Sequence, residues 1–215
     1  MRDIFHDELD DIGKQVIEMT KLVAVAMERA TSALLDANVA LADQVMQDDA
    51  RIDALRDDLD DRCFQLIAQQ QPVATDLRVL ISTIHLSADL ERMGDLAHHV
   101  AKIARLRYPD SAVPAEARDV IAQMGEVARS LVTKVADVVD GRDIGLAQEI
   151  EAEDDSMDAL RRKLFTIVLS PNWTQGTGAA IDLALLGRYY ERYADHAVAV
   201  ARHTIFIVTG EHVHH

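Results

Sequence analysis

Apolar residues recur along most of the chain at alternating three- and four-residue steps, the spacing that lines one face of an α-helix. Leu9, Ile12, Val16, Met19, Val23, Met27 and Ala30 form the first stripe, which predicts a helix over about 3–37, with Asn38 as the turn. A second helix is predicted over about 40–70, ending at QQQPVATD. There Pro72 cannot continue a helix, and Thr75 or Asp76 offers a cap for the next one. The third runs to about 107 and stops before YPDSAVP, the one obvious linker. From Pro114 the scheme restarts, with helices over about 115–140, 143–169 and 177–209, broken at DGRD and SPNWTQGTG and closed by Gly210.

The two halves share more than helix lengths. LADQVMQDDARIDAL (41–55) aligns with LAQEIEAEDDSMDAL (146–160) at a shift of 105, and ADLERMGDLAHH (88–99) aligns with the segment around YYERYADHAVAV (189–200) at a shift of 100. Such internal repetition predicts an all-α fold of two tandem antiparallel three-helix bundles. The expected boundaries are 1–107 for the first repeat, 108–113 for the linker and 114–210 for the second repeat, with 211–215 as a disordered tail. The ending EHVHH is given no functional weight.

Composition supports this picture. Aromatic residues make up only 4% of the 215 positions, and there are 9 Gly and 4 Pro, which favours long helices over sheet. The net charge of −15 speaks against a nucleic-acid binder, which needs clustered Lys and Arg, and favours cations or basic protein surfaces. Cys63 is alone, so no disulfide framework exists, consistent with a reducing compartment. The acidic start MRDIFHDELDDIG is no signal peptide, and no run approaches the ~18 apolar residues of a membrane span. A cytoplasmic protein is the expectation.

The repeat also duplicates carboxylate pairs. Glu91 and Asp95 stand four apart on the third helix, Glu191 and Asp195 on the sixth, Asp49 and Asp53 on the second, and Asp154 and Asp158 on the fifth. Like charges at this spacing cost about 0.2–0.5 kcal/mol per pair. With 37 acidic residues, such pairs also arise by chance, and Arg56 and Arg161 nearby would make ordinary surface ion pairs of them. Register and phase point the other way. Both pairs recur at equivalent positions, and Glu91 and Asp95 continue the face of Leu77, Ile81, Ile84 and Ala88. The opposite face, with Leu86, Leu90, Met93, Ala97 and Val100, is also apolar, so the third helix reads as central and its carboxylates as facing a neighbour. In the second half, Ala180, Ala184 and Gly187 leave room beside that face, next to Arg188. Four carboxylates converging from two helices would make an all-oxygen site for a hard cation such as Mg²⁺, Ca²⁺, Mn²⁺ or iron. His98, His99 and His196 follow the pairs as candidate further ligands.

QPVATDLRVLISTIHLSADLERMGDLAHHVAKIAR and LALLGRYYERYADHAVAVARHTIFIVTGE resemble the signature segments of the PhoU family, and the resemblance spans nearly the whole chain. It implies two three-helix bundles related by a pseudo-two-fold, with multinuclear metal clusters held by paired E(D)-x-x-x-D motifs. Asp49, Asp53, Glu91 and Asp95 would form the first cluster, and Asp154, Asp158, Glu191 and Asp195 the second. The chain departs from the family pattern in ERYAD, where Tyr193 replaces an aliphatic residue and Ala194 a glycine, so the second cluster's geometry is expected to differ.

The implied function is non-catalytic. It is a negative regulator of phosphate uptake and of the phosphate-starvation response, acting as an adapter between the ATPase subunit of the phosphate ABC transporter and a sensor histidine kinase. The implied form is a homodimer, peripheral at the membrane only through partners, and without a nucleic-acid partner. No phosphate-binding P-loop, glycine-rich nucleotide turn or nucleophile elbow occurs. Two alternatives are a metal-free helical scaffold and a carboxylate-bridged metalloenzyme. The second has only the Asp95–His98 spacing in its favour.

Overall fold

A computed structural model of the chain describes residues 2–141 and 144–211. These form six helices: α1 (Arg2–Asp36), α2 (Val39–Gln70), α3 (Ala74–Arg107), α4 (Ala115–Gly141), α5 (Ile144–Val168) and α6 (Gly176–Thr209). All six expected helices are present. Part of the DGRD break, and all but the first residue of the 211–215 tail, lie outside the described residues.

The helix ends follow local chemistry. Asn38 caps α2, its side-chain oxygen accepting from the Leu41 N–H at 3.1 Å. Gln71 closes α2 in the left-handed region, with its N–H on the Ile67 carbonyl, and Pro72 follows. The cap expected from Thr75 or Asp76 is not formed. Helix α3 begins at Ala74 behind an extended Val73, which has no side-chain acceptor with which to cap it. Asp76 therefore lies inside the first turn, where its charge still faces the positive end of the helix dipole. Gly210 stops α6 at φ 76°, as the sequence requires.

Helices α1–α3 and α4–α6 are two antiparallel three-helix bundles related by a pseudo-two-fold. Helix α3 packs on α1, α2 and α6; α6 packs on α3, α4 and α5; and α1 meets α4. Between the repeats α3 and α6 run antiparallel, since His85 stacks on His203 while Arg107 pairs with Asp182. The stripe from Ile12 to Ala30 is buried to the last residue, and so are Leu86, Leu90, Met93, Ala97 and Val100 of α3. The other apolar face of α3 is not a packed seam: Leu77 is 36% and Ile81 41% exposed.

Candidate functional site

The eight carboxylates fall into two groups, one on each outer hairpin. In the first, Asp49 and Asp53 come from α2 and Glu91 and Asp95 from α3. Gly94 makes the approach possible: a Cβ there would stand 3.0 Å from Ile52 Cδ1 and 3.2 Å from Asp49 Oδ1. Burial holds the Asp49 carboxyl above its usual value, and the charges of Asp53 and Asp95 reinforce this against a hydrogen bond with His98. Glu91 is raised by burial and by Asp95, with Asp53 adding to it and Arg92 and Arg56 opposing.

In the second group Asp154 and Asp158 come from α5 and Glu191 and Asp195 from α6. Asp154 is pushed up to about 6 by burial, then by Asp195, Asp158, Asp155 and Glu191, all of one sign. Burial and Glu191 raise Asp195 in turn. Each hairpin therefore carries carboxylates whose mutual repulsion its own cations only partly relieve.

The partners of these carboxylates are specific. Arg92 holds Asp95 at 2.8 Å and stands 3.5 Å from Glu91, and His98 Nδ1 lies 2.8 Å from Asp49 Oδ2. Arg161 reaches across the helix pair to Glu191 at 3.2 Å, and Arg188 meets the same carboxylate from one turn away. The expected local pairs are different from these. Arg56 lies against Asp60, and Asp158 is approached by Arg162 at 4.0 Å instead of by Arg161. The i, i+3 spacings of Arg92–Asp95 and Arg188–Glu191 were legible in the sequence; the cross-helix reach of Arg161 was not.

Of the three candidate histidines, only His98 joins a group. His99 stacks on Tyr189 with ring centres 5.2 Å apart. His196 turns across the repeat boundary, Nδ1 lying 2.9 Å from Asp89 Oδ1, while His203 Nε2 lies 3.2 Å from the other oxygen. Burial pushes Asp89 up, but its bonds with His196 and His203 outweigh this and hold it below the usual carboxylate range. The departure at Tyr193 is absorbed by the core: the ring is fully buried like Met93 in the first repeat, and its hydroxyl donates to the Val23 carbonyl at 3.3 Å. Ala194 is likewise buried.

The donor set is oxygen-rich and under-neutralised, which fits a hard cation in chemistry. Among the described residues, no group of three or more His, Cys, Asp and Glu side chains stands ready to hold a metal ion. The side-chain positions are instead those of carboxylates engaged by Arg92, Arg161, Arg188 and His98. No helix among the described residues is long and apolar enough to cross a membrane.

Comparison with known proteins places these features. The family model described as the PhoU domain matches residues 16–104 and 121–204. A Mycobacterium tuberculosis protein named phosphate-specific transport system accessory protein PhoU homolog 2 is 47% identical over 210 residues, covering 98% of this chain and 99% of that protein. An Aquifex aeolicus PhoU homologue of the same system is 37% identical, covering 97% of this chain and 94% of its own. The crystal structure of PhoU from Pseudomonas aeruginosa superimposes with a TM-score of 0.88 at 28% identity, over 96% of this chain and all of that one.

Proposed function

The chain belongs to the PhoU family, and from that premise we propose that it is a cytoplasmic negative regulator of phosphate uptake and of the phosphate-starvation response. It acts without catalysis, as an accessory protein that contacts the ATPase subunit of a phosphate ABC transporter and a sensor histidine kinase. The observation that carries the reading is full-length similarity to accessory proteins of the phosphate-specific transport system, joined to a helical scaffold with a duplicated acidic surface.

Metal is the second part of the proposal. Asp49, Asp53, Glu91 and Asp95 would hold one centre and Asp154, Asp158, Glu191 and Asp195 the other, each for a hard divalent or iron-type cation. A bound cation would supply positive charge where burial and like charge leave Asp154 raised to about 6. The protein's own part is to fix the carboxylates on two rigid helices and to offer Arg92, Arg161 and Arg188 as alternative partners.

The direct test is affinity capture from a lysate under high phosphate, with deletion of the gene in parallel. The transporter ATPase or the kinase should co-purify, and starvation genes should become constitutive. Normal repression in the deletion strain, with no second family member present, would sink the proposal. The internal Arg and His pairing favours a second reading, a metal-free scaffold. Elemental analysis separates the two: metal-free protein that still represses supports the scaffold.

A further inference from the structure

We propose that the outer face at the α2–α3 bend is the docking site for a basic amphipathic helix of a protein partner. Phe64, Val73, Leu77 and Ile81 are 57%, 73%, 36% and 41% exposed. Ser87 Oγ donates to Asp60 Oδ1 at 3.1 Å, which sets the register of the antiparallel pair. One turn nearer the bend, Phe64 of α2 therefore lies level with Ile81 and Ile84 of α3. Singly exposed apolar side chains need no explanation, but four at one end of one hairpin form a patch.

The flank of the patch is acidic. Asp61 and Asp57 are exposed one and two turns back from Phe64, on the same helical face. The arginines of that stretch are already engaged, Arg56 with Asp60 at 3.4 Å and Arg62 with Glu8 at 2.8 Å. The second repeat supplies a contrast. Leu169 and Ile181, at the positions equivalent to Phe64 and Ile81, are 77% and 55% exposed, but Arg162 and Thr166 stand where the first repeat has Asp57 and Asp61.

Charge selects the occupant. A second copy carries the same net −15, and an anionic lipid surface is repelled by Asp57 and Asp61. A helix with apolar residues at i, i+3 and i+4 and Lys or Arg along its flank satisfies both the patch and its border. The inference deepens the adapter reading and rests on it.

The test uses the full chain and a fluorescent Leu/Lys amphipathic helical peptide, with a Leu/Glu peptide as control, read by anisotropy. The Leu/Lys peptide binds and the Leu/Glu peptide does not. Ile81→Asp weakens binding by about tenfold or more, as loss of a central apolar anchor does. Ile181→Asp leaves it unchanged, and Asp57→Lys with Asp61→Lys transfers the preference to the Leu/Glu peptide. Equal weakening by Ile181→Asp, or none by Ile81→Asp, overturns the proposal. Self-association lost in Ile81→Asp, or vesicle binding lost in it without peptide binding, also overturns it by giving the face to a second copy or to lipid. Phe64→Asp repeats the test from the neighbouring helix, and circular dichroism checks that each variant is folded. The failures are separable in capture experiments: no transporter or kinase with the unaltered chain defeats the adapter reading, whereas undiminished capture by Ile81→Asp defeats only the docking site.

Discussion

The Tyr190 hydroxyl stands 2.7 Å from Thr31 Oγ1, and this buried contact joins α6 of the second repeat to α1 of the first. Thr31 gives its single hydroxyl proton to the Met27 carbonyl at 2.9 Å, so Tyr190 is the donor between them. Gly125 of α4 closes the same junction, since a Cβ there would stand 2.5 Å from the Thr31 methyl. Tyr190→Phe should cost about 0.5–1.5 kcal/mol by removing this buried hydrogen bond, while Thr31 keeps its bond to Met27. Gly125→Ala should cost about 1–3 kcal/mol through overpacking, despite its better helix propensity. Urea titration checks both, and a Gly125→Ala protein as stable as its parent would contradict the packing.

Asp154 gives the acidic surface a pH signature. Its folded value of about 6 lies above an ordinary 3.8, so the folded chain binds the proton more tightly than the unfolded chain. The repulsion is therefore relieved below the ordinary value and grows as pH rises through the folded one. In chelator-treated protein, Asp154→Asn should raise stability at neutral pH by about 1–2 kcal/mol, discounted for the solvent reaching the site, and by little in acid. Thermal melts at several pH values measure the difference. An effect that does not change with pH would mean that charge is not its cause.

If the two acidic groups hold metal, Asp95→Ala with Asp195→Ala should abolish it. Elemental analysis after loading with Mn²⁺ or iron should show bound metal in the parent and little in the double variant. Each single variant should keep a part. Equal metal in parent and double variant would place the ions elsewhere.

Cys63 is fully buried, and burial pushes its thiol up to about 12. A thiol held neutral and out of solvent is a poor nucleophile. It should react with a thiol reagent at neutral pH only after denaturation, which a colorimetric thiol assay reads directly. Fast labelling of the folded chain would require local opening of α2.

The helices and their duplication were determined by the sequence alone, because three- and four-residue periodicity and scarce turn formers act locally. Asn38, Pro72 and Gly210 marked their ends for local reasons, a side-chain cap, a ring that cannot continue a helix and a left-handed backbone. The repeat likewise put the four carboxylate pairs in register before any contact was known. Tertiary structure decided what each charge meets. Arg161 bonds Glu191 on another helix, His196 turns to Asp89 across the repeat boundary, and Tyr193 spends its bulk in the core. Helical phase places Leu77 and Ile81 on one face of α3 with Glu91 and Asp95, but it cannot say how far α2 covers that face. Coverage depends on the relative placement of whole helices, and only packing fixes that.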